Sequence, residues 1–289
     1  MAGLVLGAPE LGMLTATELG VWGDPIGHSR SPLLHAAAYE VLGLPWSYGR
    51  RQVDEAGFEA ALDGLDATWR GLSLTMPLKQ VAARTATALD DDARRTGAVN
   101  TLLLVTGERR GFNTDVGGLA RALTEIGVSA PEHIRILGAG ATATSALVAA
   151  ARLGAQRVEV RARRPEAVRP LVERGASLGV QVSAEALDAA APHAVHATIA
   201  TLPGGTDVGA PAEALASVGG PLVDVVYGGW PTPLARAWER AGAPAFDGRA
   251  MLLHQALLQV RVFVGADAEA PLDREDDVLA AMRAAVMGD

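Results

Sequence analysis

Short apolar runs alternate with stretches of helical period from about Gly20 to Gly111. Val21-Trp22 leads into Gly23-Asp24-Pro25, and a helical pattern starts at Pro32 and ends near Gly43. A strand-like Ser47 to Val53 precedes a helical Asp54 to Leu62, and Gly71-Leu72-Ser73-Leu74-Thr75 runs into Pro77. Strand alternating with helix predicts an α/β layered domain with mostly parallel pairing. Ala98 to Phe112 reads instead as a hairpin turning around Gly107.

Beyond Asp115 a helical pattern runs to about Ile126, and a second set of units follows. It comprises strand His133 to Leu137, a glycine turn, helix Thr142 to Leu153 and strand Arg157 to Arg161, with further strands at Ala194 to Ala200 and Leu222 to Val226. This is a doubly wound, Rossmann-type pattern with its own core. Gly248 to Val264 and Arg274 to Val286 are helical, and their apolar positions predict a return to the first domain. The expected architecture is therefore α/β with two domains, residues 1–116 for substrate and 117–246 for a nucleotide, closed by C-terminal helices over 247–289. The first 18 residues, glycine-rich and weakly patterned, read as an optional extension.

Composition narrows the function. The chain has 289 residues with 33 acidic and 25 basic side chains, a net charge of −8, which argues against nucleic acid or an anionic membrane as partner. It has no cysteine, which excludes disulfides, thiolate metal sites and cysteine nucleophiles; no metal site is expected. No apolar run is long enough to span a bilayer, and no Lys or Arg precedes Arg30, so a signal peptide is not expected and a soluble cytoplasmic protein is. Of the 25 cations only Lys79 is a lysine. Codon bias accounts for the arginines. Arginine stays protonated at any working pH, whereas a lysine amine can give up its proton, so Lys79 is a candidate for acid/base work.

The clearest cofactor signal is Leu137-Gly138-Ala139-Gly140-Ala141-Thr142-Ala143, set between a β-branched strand and an alanine-rich helix. Gly138 allows the tight turn, and Gly140 lets backbone approach a pyrophosphate at the helix N-terminus. NAD enzymes place an acid about 20 residues beyond such a loop, on the ribose 2′-hydroxyl. Here Glu159 lies within the strand, and Arg161, Arg163 and Arg164 stand at its exit. A guanidinium fork suits a 2′-phosphate, which points to NADP; Glu159 reaching the ribose stays open.

In the first domain Ser29 and Ser31 lie two residues apart before Pro32. Proline biases Ser31 to extended geometry, which would project both hydroxyls to one side toward a carboxylate or polyol; the alternative is a Ser-Pro helix cap. His28 and His35 read as turn or packing groups. Thr75 is either a helix cap or a ligand hydroxyl, Asn100 a turn or ligand amide, and Asp115 an acid of a first helical turn or a catalytic acid. A lysine paired with a carboxylate would suit a carbinol near a nicotinamide.

Together these strings resemble the shikimate dehydrogenase family along nearly the whole chain. The likeness rests on Gly23-Asp24-Pro25-Ile26-Gly27-His28-Ser29-Arg30-Ser31-Pro32, Leu74-Thr75-Met76-Pro77-Leu78-Lys79, Gly97-Ala98-Val99-Asn100-Thr101, Asn113-Thr114-Asp115 and Asp247-Gly248-Arg249-Ala250-Met251-Leu252-Leu253-His254-Gln255-Ala256. The resemblance implies reversible reduction of 3-dehydroshikimate to shikimate with NADPH, in aromatic amino acid biosynthesis, by a monomer or homodimer. It implies Lys79 as the acid/base residue and Asp115 as its partner on the substrate hydroxyl. It implies Ser29 and Ser31 on the carboxylate side of the substrate, with Thr75, Asn100 and Gln255 on its hydroxyls. Gly138, Ala139, Gly140, Ala141 and Thr142 would receive the pyrophosphate, and Tyr227, Gly248 and Met251 would lie near the nicotinamide.

The chain departs from the family pattern at several positions. Ser73 stands where the family usually has Asn, Ala141 replaces a loop glycine, and Arg161-Ala162-Arg163 replaces Asn-Arg-Thr. Ala256 follows Gln255 where glycine is common, and Gly228-Gly229 stand where Asn-Pro is frequent. A quinate/shikimate dehydrogenase using NAD or NADP, and a non-catalytic sensor of shikimate-type ligands, remain the alternatives. A methylene-tetrahydrofolate type of dehydrogenase fits the paired serines and Asn113-Thr114-Asp115 poorly.

Overall fold

The structure, a computed structural model, describes residues 16–105, 107–190 and 193–287. Its elements run β1 (Glu18–Gly23), α1 (Ser31–Leu42), β2 (Ser47–Gln52), α2 (Phe58–Asp63), β3 (Trp69–Leu74), α3 (Lys79–Thr85), β4 (Ala88–Leu89), α4 (Asp91–Thr96), β5 (Thr101–Val105) and β6 (Glu108–Phe112). The first sheet has the order β2-β1-β3-β5-β6-β4. β1 pairs in parallel with β2 and β3, as expected, and the Gly107 hairpin adds β5 antiparallel to β3 and to β6. That sheet is therefore mixed. Its buried side packs Trp22, Leu72, Leu74 and Leu102 against Phe58, Leu78 and Val81.

Residues 16–18 belong to the fold and not to an extension. Ala16 is buried, Thr17 N donates to Thr68 O at 2.9 Å, and Thr17 O accepts from Ser47 N at 2.9 Å. The rest of the expected extension, residues 1–15, lies outside the described residues.

The second sheet follows α5 (Thr114–Glu125) and is built from β7 (His133–Leu137), α6 (Ala141–Arg152), β8 (Arg157–Ala162), α7 (Arg169–Ser177), β9 (Gln181–Ala186), β10 (Ala197–Ala200), α8 (Pro211–Val218), β11 (Leu222–Asp224), α9 (Pro233–Arg240) and β12 (Ala245–Phe246). Its order, β12-β11-β10-β7-β8-β9, is parallel throughout. This is the doubly wound arrangement, with the topological switch between β7 and β10. Parallel strands covered on both faces usually carry continuous apolar runs; here Ile134, Ile136, Val158, Val160 and Ile199 supply apolar positions, and buried Arg135, Glu159 and Arg161 alternate with them in β7 and β8. β9 carries no apolar strand pattern, because its edge position leaves Gln181, Ser183, Ala184 and Glu185 exposed.

The chain ends in α10 (Arg249–Gly265) and α11 (Glu275–Met287). The described residues of Met1–Thr114 and Ala256–Asp289 form one compact unit, and Asp115–Gln255 the other. The divisions fall at the start of α5 and inside α10, so residues 247–255 group with the nucleotide unit. In the first unit α11 lies along α1, where Arg30 donates to Val286 O at 3.1 Å and Arg274 to Val41 O at 3.2 Å. Gly71 accepts Phe263 of α10 so closely that a Cβ would meet Phe263 Cε1 at 2.6 Å and Leu102 O at 2.7 Å. Among the described residues no helix is long and apolar enough to cross a membrane.

Candidate functional site

In the first unit the site residues sit on the loops that leave the carboxyl ends of β1 and β3, where open α/β sheets bind ligands. Backbone hydrogen bonds stitch three of the sequence motifs together there. Asp24 N donates to Met76 O at 2.9 Å, Leu74 N to Asn100 O at 2.7 Å, and Val99 N to Lys79 O at 2.8 Å. Gly23 is obligatory at this junction, since a Cβ would lie 2.3 Å from Thr75 Cγ2. Ser29, Ser31, Thr75, Lys79 and Asn100, dispersed over 72 residues of chain from 29 to 100, are thus carried by adjoining segments of one unit.

The structure corrects the geometry of the serine pair. Ser31 opens α1 in place of extending the preceding segment, and the N-cap is Arg30, with no side-chain cap bond. Neither serine side chain caps α1: Ser29 Oγ accepts from Ser31 N at 3.3 Å, and Ser31 is buried. Thr75 likewise does not cap α3, whose N-cap is Leu78 without a side-chain bond. Lys79 is the first residue of α3 and is half-buried. Asn100 is buried, and its amide holds the entry to α5: Oδ1 accepts from Thr114 N at 2.8 Å and Thr101 Oγ1 at 2.9 Å, while Nδ2 donates to Thr114 Oγ1 at 2.9 Å.

Asp90 braces the same region. Its Oδ1 accepts from Ala93 N at 2.7 Å, capping α4, and from Asn113 N at 3.3 Å. Burial pushes its carboxyl up from 3.8 to about 6, with Asp92 adding to the shift against the hydrogen bonds from Ala93 and Asn113.

Sequence reading missed the polar cluster behind the serines. His35 is buried, with Nδ1 3.0 Å from Tyr39 OH and Nε2 3.1 Å from Gln259 Oε1; its ring stacks on Tyr48 at 4.0 Å and 11°. Tyr48 OH donates to Ser73 Oγ at 2.6 Å, and Ser73 donates to Gln259 Oε1 at 2.8 Å. Two signals pointed there: Ser73 in the usual place of Asn, and a second glutamine one helical turn after Gln255.

In the second unit Gly138 adopts φ 114°, and a Cβ there would lie 2.4 Å from Thr201 Oγ1. Gly140 is the N-cap of α6 with no side-chain bond, and nothing lies within 4 Å of where its Cβ would be. An uncapped helix start with open backbone fits an anion such as a pyrophosphate, with Ala139, Ala141 and Thr142 half-buried around it. Arg161 is the correction here. It is buried, paired with Glu159, and donates to Ala189 O at 2.6 Å and Ala190 O at 2.8 Å, so its fork is turned into the fold and cannot serve a cofactor phosphate. Glu159 is held by Arg161 and by Arg135 at 2.7 Å; burial pushes its carboxyl up, but the two guanidinium partners outweigh that and keep it below its ordinary value. The acid is thereby withdrawn from any ribose hydroxyl. Arg163 and Arg164 are exposed just past the end of β8.

Asp115 is buried in the first turn of α5. Gly248 N donates to Val226 O at 3.0 Å, and a Cβ on Gly248 would strike Val225 O at 2.1 Å, which ties the start of α10 to the segment bearing half-buried Tyr227. Met251 packs into the core of this unit. Gln255 Nε2 donates to Leu252 O at 2.8 Å, and Gly118 gives it room, since a Cβ there would be 2.7 Å from Gln255 Cβ.

Known proteins match both units. The family model described as shikimate dehydrogenase substrate binding domain matches residues 21–102. A curated relative from Methanothermobacter thermautotrophicus, named shikimate dehydrogenase (NADP(+)), is 36% identical over 272 residues, 90% of this chain and 94% of its own. The crystal structure of the Mycobacterium tuberculosis shikimate dehydrogenase superposes with a TM-score of 0.78 at 36% identity, covering 92% of this chain and 99% of that one. A Thermus thermophilus shikimate 5-dehydrogenase solved in complex with NADP(H) and shikimate gives 0.79 at 30% identity, over 93% and 99%.

The Asp90 environment sets a pH dependence. Its folded pKa lies above the unfolded one, so the folded state binds the extra proton, and stability falls as pH rises from about 4 through about 6. Asp90→Asn keeps the acceptor and removes the titration. Urea midpoints at pH 5 and pH 7.5 should therefore drop less between the two conditions in the variant than in the wild type; equal drops would count against this assignment.

Proposed function

The chain belongs to the shikimate dehydrogenase family, and from that membership we propose that it catalyses the reversible NADPH-dependent reduction of 3-dehydroshikimate to shikimate. What carries the reading is the extent of the likeness, which covers 90% of this chain and 94% of the relative. The nucleotide side suits a 2′-phosphorylated cofactor. Gly138 and Gly140 leave backbone open at the α6 N-terminus, Glu159 is paired away, and Arg163 and Arg164 are exposed where the adenosine ribose of such a fold lies. When bound, NADPH supplies the hydride.

The residues of this chain do the rest. Lys79, as an ammonium, gives one proton to the substrate oxygen as negative charge develops on it, and takes one back in the oxidation direction. Asp115 accepts a hydrogen bond from the substrate hydroxyl and orients it. Ser29 and Ser31 receive the carboxylate, with Thr75, Asn100 and Gln255 on the ring hydroxyls. Tyr227, Gly248 and Met251 shape the nicotinamide end. We place this biosynthetic role in the cytoplasm.

The test crosses shikimate and quinate with NADP+ and NAD+ on the purified protein. Shikimate with NADP+ should be the preferred pair; equal or better turnover of quinate with NAD+ overturns the proposal. Lys79→Arg keeps the charge without a transferable proton, so kcat should fall about 100-fold or more while the shikimate KM changes modestly, as steady-state kinetics will show. Arg163→Ser combined with Arg164→Ser should raise the KM for NADPH about 10–100-fold and leave that for NADH nearly unchanged.

A further inference from the structure

Glycine is the poorest helix former after proline, because it gives up the most backbone freedom and packs no side chain. Gly118 nevertheless sits buried in the interior of α5. It faces Gln255 of α10. A Cβ on Gly118 would lie 2.7 Å from Gln255 Cβ, 2.8 Å from Gln255 N and 2.9 Å from Gln255 Cα. None of these atoms moves with a side-chain rotamer, so only a shift of helix backbone could clear the space. α10 would have to retreat by roughly 0.7 Å before ordinary contact is regained.

The two helices have little freedom to make that adjustment. The start of α10 is fixed at Gly248, where a Cβ would strike Val225 O at 2.1 Å, and Met251 shares a core with Val116, Leu119 and Leu123 of α5. Two turns beyond Gly118, about 10 Å along α5, Glu125 Oε2 meets His254 Nε2 at 2.7 Å. Asp115 lies one turn before Gly118 and hence on the same face. The face of α5 that carries Asp115 is therefore the face on which Gln255 rests. Both residues are buried.

We propose that Gly118 is a positioning residue for Gln255: having no side chain, it lets α10 lie against α5 at the separation from which the Gln255 amide and the Asp115 carboxylate reach one substrate ring. The Glu125–His254 pair holds the farther end of the same helix contact. The inference rests on the shikimate reading and on Gln255 and Asp115 as ligands of substrate hydroxyls. Two ligands on separate helices hold a rigid ring jointly only when their spacing matches that of its hydroxyls. A retreat of the size a Cβ would impose stretches a hydrogen bond of about 2.9 Å beyond the range in which it holds. Gly118 acts through Gln255 and takes no part in the transfer of hydride or proton.

The test measures steady-state kinetics with shikimate and NADP+, and thermal melting, for wild type, Gly118→Ala, Gln255→Ala and the double variant. Gly118→Ala should raise the shikimate KM about 5–30-fold with the NADP+ KM within about twofold of wild type, and should add less than about twofold in the Gln255→Ala background. Glu125→Ala loosens the farther end of the contact at a side chain that is 39% exposed, and should raise the shikimate KM about 2–5-fold with the same dependence on Gln255. A lowered melting temperature with unchanged shikimate KM in Gly118→Ala, parallel losses toward shikimate and NADP+, equal losses with and without the Gln255 amide, or a wild-type shikimate KM in Gln255→Ala each overturns the proposal. Should Gly118→Ala fail to fold, Glu125→Ala decides, and a wild-type shikimate KM in that variant overturns the proposal. Wild-type protein that does not turn over shikimate overturns the substrate reading and this inference with it; wild-type turnover with a Gly118→Ala ratio near one overturns the inference alone.

Discussion

One buried side-chain amide, that of Gln259, fixes the substrate unit. A buried amide has to fill its acceptor and donors, and an unfilled one costs about 1–3 kcal/mol. Gln259 does so with His35 from α1, Ser73 from β3 and the carbonyl of Asn100 ahead of β5. The helix, the strand and the turn therefore have one mutual arrangement in which all partners are satisfied. That arrangement sets the start of α1, where Ser31 lies, and the end of β3, where Thr75 and then Lys79 follow. The C-terminal half of α10 is in this sense the keel of the first unit, reinforced by Phe263 against Gly71 and by Arg70 on the carbonyls of Phe263 and Val264.

The nucleotide unit uses charge where the substrate unit uses a neutral amide. Glu159 and two arginines are buried in the middle of the sheet, an arrangement that is costly unless each charge is paired and the remaining N–H groups find acceptors. Arg161 meets that condition through Glu159 and the carbonyls of Ala189 and Ala190, whereas Arg135 pairs with Glu159 and the carbonyl of His193 but leaves its buried Nη1 without a partner. The consequence is chemical as well as structural. The acid nearest the place of an NAD-selecting residue is neutralised by its neighbours, and the cations beyond the strand end face solvent.

Much of this was legible along the chain. The hairpin at Gly107, strand His133–Leu137, the glycine turn and the helix after it follow from local period and from glycine, whose backbone freedom Gly138 uses at φ 114°. Ser31 was misjudged because the bias that proline imposes on its predecessor is small, and the first turn of α1 overrides it. Arg161 was misjudged for a different reason: alternation puts residues 159 and 161 on one face, but nothing local says whether that face is covered. β9 escaped notice because an edge strand can be made of polar residues once its neighbour supplies the pairing.

By itself the sequence determined the alternation of strands and helices in both units, the glycine turn for a phosphate and the singular lysine, because each depends on residues within one or two turns of chain. It could not determine which polar groups face one another across a core. Gln259 meets Ser73 over a separation of 186 residues and His35 over 224, and Arg135 meets Glu159 over 24. Such pairings are set by the packing of elements and by the demand that buried donors and acceptors be filled, and only the tertiary structure satisfies that demand in one way.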